Sequence, residues 1–255
     1  MAESQSPPYR LLTYNIQVGL HTRDYGHMVS GAWRHLWPSK DQHSNLERIA
    51  EMLSGFDFVA IQEADAGSLR TRSRNQIEFL ARAAGFDHCG FIVTRDLHPV
   101  ARHCHGWMSR AAPIEQQAHS LPSRIPGRAA MRLRYGEELG GLTILAAHLS
   151  LGGEDRRKQL RYIAGMAGAG ERVVMLGDLN SGNEFLRHHP DLHEKGLRPV
   201  PDAPKTYPSW RPRRALDQVL LGPGLQARRV AALPIHLSDH MPLAVDVEVL
   251  DRPHR

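Results

Sequence analysis

Apolar and polar positions along this chain follow two periods, and the switches between them outline its elements. Tyr9 to Ile16 is a β-rich apolar run that closes on Asn15. From Ser44 the period becomes helical: Leu46, Ile49, Ala50 and Leu53 share one face. Ser44 with Glu47 three residues on reads as a capping box, and Gly55 supplies the stop. Phe58 to Ile61 predicts a short strand with Glu63 just beyond its end. A second helix is predicted near Asn75 to Ala84, with Ile77, Leu80, Ala81 and Ala84 inward and Gly85 as its stop.

The same order returns in the second half. Leu142 to Ala147 predicts a strand ending in His148, and a helix from about Glu154 to Met166 buries Leu160, Ile163 and Ala164. Val173 to Leu176 predicts the next strand, ending in Gly177-Asp178-Leu179-Asn180. A last pair, Leu216 to Leu221 and Leu243 to Val249, flanks Ser238-Asp239-His240. In both halves polar groups gather where apolar strands end, which is where α/β folds place their sites. Residues 19 to 43 are polar, rich in His and Trp and without a clean period, and are expected to form a long functional loop. Residues 1–8 and 251–255 read as loose tails around a single domain spanning 9–250.

Composition narrows the class. The chain has 255 residues, of which 41% are hydrophobic and 23% charged, ordinary globular usage that excludes wholesale disorder. No apolar run is long enough to cross a bilayer, and the polar N-terminus has no signal-peptide pattern. Two cysteines, Cys89 and Cys104, exclude a disulfide framework and fit a reducing compartment, so a cytoplasmic location is expected. The net charge of +5 favours an anionic partner such as nucleic acid, a phospholipid headgroup or a phosphate ester.

Five strand ends offer chemistry: Asn15, Glu63, His148, Asp178 with Asn180, and Asp239 with His240. Taken singly, each is more often a turn acid, a strand-end histidine or a cap. Taken together, carboxylate and amide oxygens suit a hard cation such as Mg²⁺, while imidazoles and a spare carboxylate suit proton transfer and stabilisation of a phosphoryl group. His103-Cys104-His105 with His88-Cys89 match no zinc spacing and read as strand residues. Arg156, Arg157, Lys158 and Arg161, at helical spacing, read as a solvated face. Arg211, Arg213 and Arg214, after Trp210 and before Asp217, lead into a site strand; Lys205 to Trp210 reads as a substrate-edge loop. Trp33 and Trp37 suit base stacking, a lipid interface or a packed lid, and the sequence does not rank these.

Leu12-Thr13-Tyr14-Asn15-Ile16, Ile61-Gln62-Glu63, Ala147-His148-Leu149, Gly177-Asp178-Leu179-Asn180-Ser181, Leu216-Asp217-Gln218-Val219 and Ser238-Asp239-His240-Met241-Pro242-Leu243 occur in this order. Their series resembles the motifs of the endonuclease/exonuclease/phosphatase superfamily, which includes deoxyribonuclease-I-like nucleases, abasic-site nucleases and neutral sphingomyelinases. The resemblance covers about residues 9 to 249. It implies an α/β (α+β) four-layer sandwich, two packed β-sheets flanked by helices, with the site at one edge. It further implies that Asn15, Glu63 and Asp239 hold Mg²⁺ (or Mn²⁺) and that His148 contacts the phosphate or assists the leaving group. Asp178 then orients or deprotonates the attacking water, Asn180 stabilises the transition state, and Asp217 hydrogen-bonds His240. The chain departs from the family pattern at Gln17 and near Gly106 to Arg110, where His105 stands in place of an expected asparagine.

The expected activity is divalent-metal-dependent hydrolysis of a phosphodiester in nucleic acid, by in-line attack of an activated water. Arg211, Arg213, Arg214 and Trp210 are expected to bind substrate. A phospholipid or small phospho-headgroup hydrolase is the alternative, and a non-catalytic binding protein on the same scaffold is a third reading.

Overall fold

A computed structural model describes residues 7–19 and 40–250. Trp33, Trp37 and most of the expected loop, together with most of both expected tails, lie outside the described residues.

Two six-stranded sheets organise the chain. The first runs in the order β11 (Leu225–Ala232), β12 (Leu243–Val249), β1 (Tyr9–Asn15), β2 (Phe58–Asp65), β4 (Ala101–Ser109) and β3 (His88–Leu97). The second runs β5 (Pro113–Ser120), β6 (Ala129–Tyr135), β7 (Leu142–His148), β8 (Arg172–Asp178), β10 (Asp217–Leu221) and β9 (Arg198–Pro199). Each sheet has one parallel pair at its centre, β1 with β2 and β7 with β8, and antiparallel pairs outside it. The strand–helix–strand repeat read from the sequence is therefore two parallel crossovers, one per sheet.

Side-chain alternation sorts the core into three apolar layers. Leu11, Phe58, Ala60, Leu133, Ile144, Leu176 and Val245 pack between the two sheets. Leu12, Tyr14, Val59 and Ile61 turn the other way, onto α1 (Lys40–Leu53) and α2 (Gln76–Ala84). Leu145, Ala147, Val173 and Met175 cover α3 (Gly153–Gly165), α4 (Asn183–Arg187) and α5 (Pro190–Glu194). Strands covered on both faces are apolar at nearly every position, which is why β1 and β7 read as runs rather than as alternations. The result is the expected four-layer sandwich.

Two boundaries differ from the sequence reading. Helix α1 begins at Lys40, so Ser44 lies within it rather than capping it. Its extra turn is held by tertiary bonds: Gln42 Nε2 donates to Val18 O at 2.7 Å and Asn45 Nδ2 to Gly19 O at 3.3 Å. Strand β2 runs on to Asp65, with a bulge between Ile61 and Ala64. By contrast α2 is stopped by left-handed Gly85, as the sequence predicts, and the structure adds a cap at its start, where the Asn75 side chain accepts from Ile77 N and Glu78 N.

Candidate active site

The two parallel pairs bring their C-terminal ends to one edge of the sandwich. Asn15 closes β1, His148 closes β7 and Asp178 closes β8, with His148 and Asp178 in register on neighbouring strands. Strand β10 runs antiparallel to β8 and begins at this edge, so Asp217 faces Asp178. Strand β12 runs antiparallel to β1, so the Ser238-Asp239-His240 segment that precedes it arrives there too. Gly177 allows the closeness of β7 and β8: with φ of 153°, a Cβ there would lie 1.8 Å from Ala147 O.

Glu63 reaches the edge through the bulge. A bulge adds an unpaired residue and re-aims its side chain, and Glu63 adopts a left-handed φ of 54°. Its amide donates to His105 Nδ1 at 3.4 Å, and His105 Nε2 lies 3.3 Å from Gly127 O. His105 thus ties the bulge to the start of β6. Burial, then the Arg128 charge, pushes His105 down to about 4, so this link is a neutral ring at neutral pH.

Asp178 is the hub. Its Oδ2 accepts from Asn15 Nδ2 at 3.1 Å and lies 3.4 Å from His148 Nε2 and 3.8 Å from His240 Nε2; its Oδ1 accepts from Asn180 N at 3.1 Å. Burial, reinforced by the charges of Asp217 and Glu63 and opposed by His240 and the Asn15 bond, pushes Asp178 up to about 7. A carboxyl there carries a proton or releases one near neutrality.

The two histidines are opposite in charge. His240 Nδ1 lies 2.8 Å from Asp217 Oδ2, which also accepts from Thr206 Oγ1 at 2.6 Å. Burial disfavours the imidazolium, but the charges of Asp217 and Asp178, the Asp217 hydrogen bond and Asp239 outweigh it and push His240 up to about 10. His148 is equally buried but meets cations. Burial first, then Arg128, His105 and His240, holds it well below its ordinary 6.5. One Arg128 guanidinium nitrogen lies 2.7 Å from His148 Nε2 and 3.0 Å from its Nδ1.

These charge states decide where a cation fits. Asp178, Asp217 and His240 place donor atoms within 4.8 Å of one another. A protonated His240 has no lone pair to give, so that trio is an ion-paired relay rather than a ligand set. Glu63, Asp239 and Asn15 are the better fit. The Glu63 carboxylate receives no hydrogen bond among the described residues, and its Oε1 lies 3.9 Å from His148 Nε2. Asp239 is pushed up by burial and by the Glu63 charge, against His240, so these two carboxylates repel each other. Among the described residues Asn15 Oδ1 takes only the Gln17 amide, at 3.2 Å, which leaves it a lone pair. Oxygen donors with uncompensated negative charge suit a hard divalent ion.

The expected substrate residues sit on the rim. Ser209 N donates to Asp239 O at 2.7 Å, and Ser209 Oγ to Ser238 O at 2.6 Å, latching the 205–215 loop onto the site. Tyr207 packs its ring 4.9 Å from that of His240. Arg211, Arg213 and Arg214 are exposed and have no carboxylate partner among the described residues, while Trp210 is half-buried. None of the three guanidinium groups touches His148, Asp178 or His240. Arg157, Lys158 and Arg161 are exposed as expected, but Arg156 is not a solvated-face residue. It is half-buried over the Phe185 ring at 5.6 Å and donates to Ser150 O at 3.4 Å. Cys89 and Cys104 lie on the paired strands β3 and β4 as free thiols, and no soft-metal cluster forms there among the described residues.

Arg128 is the site residue that sequence reasoning missed. It follows Gly127 at the start of an apolar strand, with no motif to separate it from the chain's other arginines.

Residues 12–240 match the endonuclease/exonuclease/phosphatase family. No curated protein sequence matches the chain. Among solved structures, an endonuclease/exonuclease/phosphatase from Beutenbergia cavernae superposes with a TM-score of 0.76 at 22% identity, covering 96% of this chain and 72% of the other. The human Nocturnin catalytic domain with bound sulfate gives 0.65 at 16% identity, covering 96% and 95%. A Bacteroides thetaiotaomicron mannosyl-6-phosphatase gives 0.65 at 13% identity, covering 94% and 99%. At these identities the likeness is one of fold.

Proposed function

The chain belongs to the endonuclease/exonuclease/phosphatase family, and on that premise we propose that it is a divalent-metal-dependent phosphodiesterase. The observation that carries this reading is Asp178, poised near neutrality between a neutral His148 and a cationic His240. Asp178 takes the proton of a water attacking phosphorus in line. The His240 imidazolium, held by Asp217, faces the negative charge that develops on the phosphoryl oxygens. Asn180 commits one amide N–H to Leu149 O at 2.9 Å and keeps a second for the same oxygens. A Mg²⁺ or Mn²⁺ ion held by Asn15, Glu63 and Asp239 supplies, when bound, polarisation of the phosphate and neutralisation of its charge. His148, neutral and in contact with Arg128, contacts the phosphate or assists the leaving group.

Nucleic acid is the substrate class supported by Arg211, Arg213 and Arg214, three exposed cations at the rim without acidic partners among the described residues. A phospholipid or small phospho-headgroup ester is the second reading, favoured by the exposed apolar side chains of Ile125 and Leu151 near Arg128. A single domain over 9–250 and a cytoplasmic location belong to the same reading, supported by the three continuous cores and the two free thiols. No helix among the described residues is long and apolar enough to cross a membrane.

Hydrolysis of bis(p-nitrophenyl) phosphate, abolished by chelator and restored by Mg²⁺, tests the chemistry. The salt dependence of DNA and RNA binding tests the substrate. A nucleic-acid substrate requires affinity that falls steeply with salt, with the slope reduced by about one when a phosphate-contacting arginine is removed. Salt-insensitive binding favours the second reading.

A further inference from the structure

Ile125 and Leu151 are the two most exposed large hydrophobic side chains among the described residues, at 73% and 70%. Single exposed apolar residues are ordinary on a surface. These two come from different loops yet line one groove of about 460 Å³, whose lining also includes Arg128. Arg128 is the residue whose guanidinium meets both ring nitrogens of His148. Arg128 is therefore shared between the groove and the catalytic edge.

Its walls are held in place by one buried residue. Gln159 Nε2 donates to Pro122 O and to Ser150 Oγ, both at 2.9 Å, and Gln159 Oε1 accepts from Ser150 N at 2.9 Å. Ser123 and Ser150 meet hydroxyl to hydroxyl at 3.0 Å. The loops carrying Ile125 and Leu151 are thus cross-braced, and the groove is preformed rather than shaped by its ligand.

Two of the cations on its rim, Arg124 and Lys158, are paired with Glu154, and the Asp155 carboxylate takes a backbone N–H. Arg124 Nη2 lies 3.0 Å from Glu154 Oε2, Arg124 N donates to Asp155 Oδ2 at 3.1 Å, and Glu154 also holds Lys158 at 2.9 Å. Arg128 has no carboxylate partner among the described residues. What remains is a trough formed by Ile125, Pro126 and Leu151 whose lining also holds the Arg128 cation and the Asp155 carboxylate. No aromatic side chain lines it among the described residues, so it offers no stacking platform for a base.

We propose that this groove is a specificity subsite for an aliphatic group esterified to the phosphate, with Arg128 taking the phosphate charge and Ile125 and Leu151 covering the hydrocarbon. The proposal rests on the phosphodiesterase reading and deepens the second of its two substrate classes, naming an alkyl ester.

The probes are n-alkyl phosphates from methyl to hexyl, titrated calorimetrically into the whole protein with Mg²⁺ present. Affinity should rise about two- to fourfold per methylene added. Ile125→Ser and Leu151→Ser, both surface changes away from the catalytic groups, should flatten that series. They should leave methyl phosphate affinity and bis(p-nitrophenyl) phosphate turnover unchanged. A flat series in the wild type, a series that neither variant alters, or no measurable hexyl phosphate binding overturns the proposal. So does thymidine 5′-phosphate binding more tightly than hexyl phosphate and losing its affinity in the same variants, because the groove is then a nucleoside site. Loss of the phosphodiesterase reading would appear separately, as absent bis(p-nitrophenyl) phosphate hydrolysis beside an intact alkyl series.

Discussion

His240 Nδ1 and Asp217 Oδ2 lie 2.8 Å apart with both residues buried, which makes them one charge-assisted unit joining β10 to the segment before β12. Asp217→Asn keeps the shape but removes the charge that favours the imidazolium. Turnover should fall about two to four orders of magnitude. His240→Ala should cost a similar amount and the double variant little more, since the pair acts as a unit. Additive losses in kcat would show that the two do not act as a unit, and turnover within a few-fold of wild type in Asp217→Asn would show that the contact is structural only.

That pair also ties stability to pH. His240 has a folded pKa of about 10 against an ordinary 6.5, so its stabilising contribution is complete below about pH 6.5 and is lost as pH rises through 10. Denaturant midpoints should decline across that window, and the decline should disappear in His240→Gln. A proton titration of the His240 ring by NMR gives the same answer directly.

Activity should follow a bell. Asp178, raised to about 7, must lose its proton to act as base, and His240 must keep its own up to about 10. The profile of kcat/KM should therefore climb to a plateau above about pH 7 and fall near 10, reporting values that belong to the coupled site. Asp178→Asn should abolish the acid limb together with most of the rate. An acid limb that persists in Asp178→Asn would assign the base elsewhere.

Metal binding should depend on Glu63 and on what aims it. Glu63→Gln should weaken Mg²⁺ activation while leaving the circular dichroism spectrum and melting temperature intact. His105→Ala releases the Glu63 amide and should weaken apparent Mg²⁺ affinity by roughly 10- to 100-fold, the range for residues that position a ligand. Unchanged Mg²⁺ dependence in both variants would remove Glu63 from the ligand set.

Gly177→Ala places a methyl group where Ala147 O already lies, at 1.8 Å, and in a backbone conformation that side chains rarely adopt. The strands must separate beside His148 and Asp178. A loss of about 3 kcal/mol or more is expected, or roughly 6–12 °C in Tm for a chain of this size. Gly182→Ala, which meets nothing within 4 Å, serves as the control.

Local order was legible in the sequence wherever one element dictates its own structure. Asn75 and Gly85 bracket α2 because a cap and a left-handed stop act within a few residues. The apolar runs at β1, β2, β7 and β8 marked strands covered on both sides, and the polar residue after each run marked the edge that became the site. The motif series then pointed to the two-sheet sandwich that the structure contains.

Tertiary structure alone decided the rest, because the forces involved act between segments far apart in the chain. The start of α1 depends on Gln42 and Asn45 finding the Val18 and Gly19 carbonyls, so its own Ser44–Glu47 signal was overruled. Glu63 lies within β2 at a bulge rather than beyond its end, since a register shift belongs to the pairing with β4 and not to either strand. Charge is the clearest case. His148 and His240 look alike in sequence, yet Arg128 beside one and Asp217 beside the other leave the first neutral and the second cationic. Coulomb interactions in a buried site follow distance in space, and only the packing of the two sheets sets that distance.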